Sequence, residues 1–112
     1  MDCIFCKIVR GDIPAQRIYE DESSIAFADI NPQAPVHVLL IPRRHIDSLA
    51  HAAAEDRELL GHLLASAAKI AAQQNLTKGY RVVMNTGAEG GQTVDHLHLH
   101  ILGGRAMKWP PG

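Results

Sequence analysis

From Asp95 to Gly104 the chain reads DHLHLHILGG, and no other stretch restricts the fold as much. Polar and apolar residues alternate strictly from His96 to Ile101. A period of two belongs to a strand, because successive side chains leave a pleated backbone on opposite faces. His96, His98 and His100 would then share one face, and Leu97, Leu99 and Ile101 the other. The apolar face needs a cover. The chain supplies one from about Ala53 to Gln74, where Leu59, Leu60, Leu63, Leu64, Ala67, Ile70 and Ala71 recur at spacings of three and four. That spacing is one face of an amphipathic helix. Alanine richness adds helix propensity, and NLTKG ends the helix.

The remaining segments are short. CIFCKIVRG reads as a brief N-terminal helix stopped at Gly11. AQRIYED and SSIAFADI are β-prone runs around a polar turn, hence a hairpin. NPQAP is a loop, since Pro32 and Pro35 do not suit a central strand. VHVLLIP is a third strand closed by Pro42, YRVVMNT a fourth, and TVDHLHLHILG the fifth. GAEGGQ is a glycine loop, and the tail GRAMKWPPG leaves regular structure by Pro110. The expected class is α+β: a five-stranded antiparallel sheet with one long helix and a short N-terminal helix. The sheet face away from the long helix would need a ligand, a partner subunit or both.

Composition excludes several classes. The 112 residues suit one domain, 1–112, with one modest core. A net charge of −1 argues against a nucleic-acid polymer as partner. No apolar run approaches the roughly 20 residues needed to span a bilayer. The start MDCIFCKIVRGD does not read as a signal peptide. Two cysteines cannot staple a chain of this size, so a cytoplasmic location is expected.

Three imidazoles in file suit chemistry near neutral pH better than a merely solvated strand face does. Two chemical readings compete. Histidines at i and i+2 on a strand can share a metal ion, although Asp95 would point to the wrong face to assist. Alternatively, an imidazole acts as a nucleophile while its neighbours tune protonation. The preceding NTGAEGGQT brings glycines, which let backbone N–H groups approach an anion, and Asn85, Gln92 and Thr93 add neutral hydrogen-bonding groups. By itself such a segment is an ordinary hairpin connection. Beside the histidine row it points to a phosphate site, and histidine with phosphorus gives a covalent phosphoimidazole.

HLHLHILGG resembles the histidine-triad (HIT) signature, and DINPQAPVHVLLIPRRHI looks like the other hallmark segment of that family. The ending GGRAMKWPPG is similar to that of Hint-type purine nucleoside phosphoramidases, and the likeness runs from about Ile4 to Gly112. The resemblance implies a HIT-like fold and hydrolysis of purine nucleoside phosphoramidates, such as AMP joined through phosphorus to an amine. His98 would attack phosphorus and form a nucleotidyl-histidine, which water would resolve. His100 would contact the phosphate or orient the nucleophile, and His37 would complete the cluster from a neighbouring strand. Asp29 would accept from the ribose hydroxyls. Ile4, Phe5, Ile8, Phe27, Ile30 and Leu39 would form the slot for the base. Asn85, Gly91, Gln92 and Thr93, with His98 and His100, would hold the phosphate.

Cys3 and Cys6 depart from much of the Hint branch. CxxC can be a redox pair, but no βαβ context surrounds it. Two incidental buried cysteines are another ordinary outcome. Similarity to bacterial histidine-triad proteins with a CIFC start implies a structural zinc held by Cys3, Cys6, His45 and His96. His96, first of the catalytic row, would then be structural. The resemblance implies no organic cofactor. It implies a two-fold homodimer joined through the long helix and YRVVMNT, with Trp109 near the partner's substrate pocket. A non-catalytic nucleotide-binding regulatory module and a metal-dependent phosphohydrolase remain the alternatives. The choice between adenine and guanine stays open.

Overall fold

The computed structural model describes residues 3–112. Helix α1 spans Ile4–Arg10, α2 spans Arg57–Gln73, and the strands are β1 Arg17–Glu20, β2 Ser24–Ala28, β3 Val36–Pro42, β4 Tyr80–Val83 and β5 Leu99–Gly103. All strand pairs are antiparallel and the sheet order is β1-β2-β3-β5-β4. The α+β class, the five-stranded antiparallel sheet and the two helices agree with the sequence.

Register places the two faces. Leu40 lies opposite Leu99 and Val38 opposite Ile101, while Leu39 lies opposite His100 and Phe27. Ala26, Val38, Leu40, Leu99 and Ile101 therefore turn towards α2 and pack in one core with Leu63, Ala67, Ile70 and Ala71. On the reverse face, Ile25, Phe27, Leu39 and Ile41 pack against Phe5 and Ile8 of α1. The short helix thus covers the β2–β3 part of that face. It is a compact cover because Gly11 ends it in the left-handed region, φ +81°, where its N–H reaches the Ile8 carbonyl.

Several boundaries differ from expectation. The long helix begins at Arg57 rather than Ala53; residues 49–51 and 54–56 form 3-10 turns instead. Asp56 explains the late start: its carboxylate accepts from the Ala53 N–H and pairs with Arg44, holding the entry turn. Leu64 faces outward rather than into the core. Strand β4 stops at Val83, before MNT. The fifth strand begins only at Leu99. Before it the chain bends at residues 94–96, and the Leu97 N–H goes to the Ile46 carbonyl at 2.7 Å, outside the ladder. The alternation survives the bend, since Leu97 still enters the core with Leu99 and Ile101. Among the described residues, no helix is long and apolar enough to cross a membrane.

Candidate active site

The bend divides the histidine row between two centres. His96 is fully buried and turns towards the N-terminal cysteines. His98 packs edge-on against Phe5 and His100, with ring centroids 5.2 and 5.0 Å apart. His100, the only row histidine on β5, meets His37 from β3.

Hydrogen bonds assign a proton to each ring. His98 Nδ1 lies 2.7 Å from the carbonyl of His96. A carbonyl only accepts, so Nδ1–H donates and Nε2 keeps its lone pair. The Gln33 N–H donates to His37 Nδ1 at 3.0 Å, so the proton of neutral His37 sits on Nε2. That Nε2–H points at His100 Nδ1, 2.9 Å away, with Asp29 Oδ2 at 3.3 Å. His100 accepts on Nδ1 and therefore carries its own proton on Nε2. Burial lowers the His100 pKa to about 4; the charges of His98 and His37 act the same way, against the opposing pull of Asp29. At neutral pH His100 is a neutral N–H donor. His98 and His100 thus offer adjacent, opposite capacities: a lone pair and a proton.

Beside these rings lies a cavity of about 330 Å³. All six expected slot residues line it, Ile4, Phe5, Ile8, Phe27, Ile30 and Leu39, and so does Asp29. Asp29 Oδ1 accepts from the Asn31 N–H, which leaves further lone pairs on this carboxylate. The residues 13–16 segment and Ala28 also line the cavity, and sequence reasoning missed them. GDIPA carried no chemical signal; it matters only because α1 folds back over β2.

Asn85, Gly91, Gln92 and Thr93 belong to the loop after β4, not to that cavity. Gln92 is strongly committed: its Oε1 accepts from the Gly87 N–H at 2.9 Å, and its Nε2 donates to the Asp47 and Val94 carbonyls. Asn85 Nδ2 reaches the Gly91 carbonyl at 3.5 Å, a long contact. Gly87 and Gly91 hold φ of +76° and +86°, which other residues rarely adopt.

The second centre joins α1 to the segments that follow β3 and precede β5. Cys3 Sγ lies 3.3 Å from His96 Nδ1, Cys6 Sγ 3.3 Å from His45 Nδ1 and 3.6 Å from His96 Nδ1, and the two Nδ1 atoms are 3.2 Å apart. His96 Nε2–H donates to the Pro42 carbonyl and His45 Nε2–H to the Asp47 carboxylate. Both Nδ1 atoms therefore carry lone pairs aimed at each other, and burial lowers the His96 pKa further. Facing lone pairs are an arrangement that a metal ion would bridge. Zinc bonded at about 2.0–2.1 Å to nitrogen and 2.3 Å to sulfur would give tetrahedral edges of about 3.3 Å between nitrogens and 3.6 Å for mixed pairs. The donor set and its spacing fit such an ion. A carboxylate or carbonyl behind each imidazole is the usual support for a metal-bound histidine.

An antiparallel α+β sheet with paired histidines beside an apolar cavity defines a class, and comparison with known proteins supplies its family. The HIT domain matches residues 10–107, and the chain belongs to the HIT family. It is 59% identical over 111 residues to an uncharacterized HIT-like protein of Synechococcus elongatus, covering 99% of this chain and 97% of the relative. A HIT family hydrolase from Legionella pneumophila superposes with a TM-score of 0.97 at 50% identity, covering 99% of this chain and all of the other. A histidine triad nucleotide-binding protein from Candida albicans matches with a TM-score of 0.83 at 33% identity, covering 97% and 83% of the two chains.

Proposed function

We propose that this protein is a nucleotide-binding hydrolase that cleaves the P–N bond of purine nucleoside phosphoramidates through a nucleotidyl-His98 intermediate. The carrying observation is the pair of hydrogen-bonded tautomers: a free Nε2 lone pair on His98 beside an Nε2–H on His100. His98 Nε2 attacks phosphorus, the P–N bond breaks, and the amine takes up a proton from solvent as it leaves. His100 donates to a phosphoryl oxygen, where charge develops. Water then attacks phosphorus, breaks the P–Nε2 bond and gives up a proton to solvent, restoring the His98 lone pair and releasing the nucleoside monophosphate. Two easier displacements replace one hard one.

The cavity supports the nucleoside half of this reading. Its volume lies at the low end of small-molecule sites, and its lining is mostly apolar with one carboxylate. The base would occupy the slot and Asp29 would accept from the ribose hydroxyls. The loop carrying Asn85, Gly91, Gln92 and Thr93 would meet the phosphate, with Gln92 shaping the loop rather than binding directly. The likeness to the Legionella hydrolase and the Candida nucleotide-binding protein supports the same reading.

Cys3, Cys6, His45 and His96 would hold one zinc. Four protein donors leave no open position for water, so its contribution is structural. His96 thereby acts indirectly, since its carbonyl orients His98. Thiolate ligands persist in a reducing compartment, consistent with a cytoplasmic protein. A two-fold homodimer belongs to the same reading.

Quenched mass spectrometry with an adenosine phosphoramidate tests the mechanism. An AMP adduct on His98 is expected, absent from His98→Ala, which should still bind AMP. Wild-type turnover by that variant would sink the proposal. Asp29, His37 and His100 also have donors within 4.8 Å of one another, so metal-assisted hydrolysis is the second reading. Chelator-sensitive turnover without an adduct would favour it. Nucleotide binding without any turnover would favour a regulatory module.

A further inference from the structure

The His37 tautomer depends on one backbone amide, the Gln33 N–H that donates to His37 Nδ1 at 3.0 Å. Without that donor, neutral His37 could carry its proton on either nitrogen. The Nδ1–H form would present a lone pair to His100 Nδ1, turning a hydrogen bond into a repulsion. What holds Gln33 in place is therefore part of the site.

Gln33 lies in the loop between β2 and β3, with Pro32 and Pro35 beside it. Its carbonyl accepts from Arg105 twice, from Nε at 3.3 Å and from Nη2 at 3.1 Å. The third guanidinium nitrogen, Nη1, donates to the Ala106 carbonyl at 3.1 Å, which fixes the fork against its own backbone. Gly104 adds a close approach. A Cβ there would stand 2.9 Å from Pro35 Cβ, and its φ of +89° is left-handed. The segment just after β5 thus closes on the loop at two successive residues, by packing and then by a charged donor.

We infer that Arg105 is a positioning residue for the histidine pair: it grips the Gln33 carbonyl, and the Gln33 N–H sets the His37 tautomer and through it the proton on His100. The chain runs from Arg105 to the Gln33 carbonyl, across the Gln33 Cα to its N–H, to His37 Nδ1, and from His37 Nε2–H to His100 Nδ1. The carbonyl and the N–H belong to the two peptide groups that flank the Gln33 Cα, so Arg105 acts by holding the residue in place, which keeps the N–H aimed at His37 Nδ1. Arg105 suits this task because its planar fork delivers two parallel donors, whereas lysine supplies a point charge. No carboxylate pairs with Arg105 among the described residues, so its donors go to backbone carbonyls, two of them to Gln33 and one to Ala106. The role is distinct from that of Trp109, which concerns the far end of the tail.

The significance of the relay for turnover rests on the phosphoramidase reading; its structural half does not. The test is nitrogen-15 NMR of the imidazoles in the full-length protein at neutral pH, without substrate. Wild type should show His37 protonated at Nε2 with an unprotonated Nδ1. Arg105→Met should give a mixture of His37 tautomers and move the His100 Nδ1 signal. Arg105→Lys should restore part of the wild-type pattern. Arg81→Met is the control: Arg81 Nη2 holds the tail through the Lys108 carbonyl but does not touch the loop, so the pattern should not change. With an adenosine phosphoramidate, Arg105→Met should lower kcat about tenfold, one step in ΔG‡ of about 1.4 kcal/mol, with KM nearly unchanged. An unchanged His37 pattern in Arg105→Met, or the same change in Arg81→Met, overturns the inference. If the tautomers shift but wild type itself does not hydrolyse the substrate, the relay stands and the phosphoramidase reading fails.

Discussion

Asp21, at the β1–β2 turn, shows how much one side chain can organise. Its carboxylate accepts from Tyr19 Oη at 2.7 Å, His62 Nε2 at 2.8 Å, the Ser23 and Ser24 N–H groups and Ser24 Oγ. Burial alone would raise its pKa, but these donors outweigh it and hold the carboxyl well below the usual carboxylate range. Asp21→Asn replaces an all-acceptor group with one that must turn a donor towards donors, and should cost about 1–3 kcal/mol in urea unfolding. A loss below a few tenths would mean that the network is incidental. His100 has a different signature. Its folded pKa, about 4, lies below the ordinary 6.5, so unfolding takes up a proton between those values. Stability from this group is therefore complete above pH 6.5 and is lost as pH falls towards 4. His100→Gln should flatten the pH dependence of the unfolding midpoint in that window. An unaltered slope would show that other groups set it.

At the scale of elements, the sequence was most legible where one periodicity dominated. VHVLLIP is β3 residue for residue, and the three-and-four spacing located the buried face of α2. The histidine row was legible in its alternation but not in its division. Nothing local announces that Leu97 will bond to Ile46 or that His96 will turn towards two cysteines about ninety residues earlier in the chain. Those contacts depend on where α1 docks. The Arg105–Gln33 link was illegible for the same reason, because two loops meet only after β3 pairs with β5. The glycine loop carries a testable constraint that spacing could not reveal. A Cβ on Gly90 would meet the Thr86 carbonyl oxygen at 2.3 Å, and backbone cannot swing aside as a side chain would. Gly90→Ala should therefore reshape the 86–92 turn and lower kcat/KM by about 100-fold, as displacements near 1 Å can do, while circular dichroism stays native. Normal kcat/KM would remove this loop from the site. The cysteine–histidine centre acts between elements, fastening α1 over the sheet. Elemental analysis should find one zinc per chain, and chelation should lower Tm before it lowers the rate of the remaining folded protein. Zinc retained by Cys3→Ser with Cys6→Ser would return the cysteines to packing.

The whole molecule leaves surface that one chain does not cover. Leu64 on the outer side of α2 is 57% exposed, Tyr80 on β4 is 42% exposed and Trp109 is 82% exposed. Strand β4 is a sheet edge, with one side of its backbone unpaired. Exposed edges favour pairing with another chain unless they are blocked. A second copy docked by a two-fold axis would present the same patch to itself, burying edge and apolar residues together. The tail would then run outward with a use. Arg81 and Arg105 hold its beginning against its own sheet and loop, but beyond Lys108 no described hydrogen bond retains it. Trp109 is left projecting, and a large aromatic is costly to leave in water and effective at an interface. Across a two-fold axis it would reach the partner's cavity on the side where the amine departs. Two measurements bear on this arrangement. Sedimentation at micromolar concentration should give a dimer. Deleting residues 107–112 should change the ranking of amine leaving groups while AMP affinity stays near wild type, because the apolar cavity proposed for the nucleoside is lined by residues between 4 and 39 of the same chain. A monomer, or an unchanged ranking after the deletion, would confine the substrate site to a single subunit.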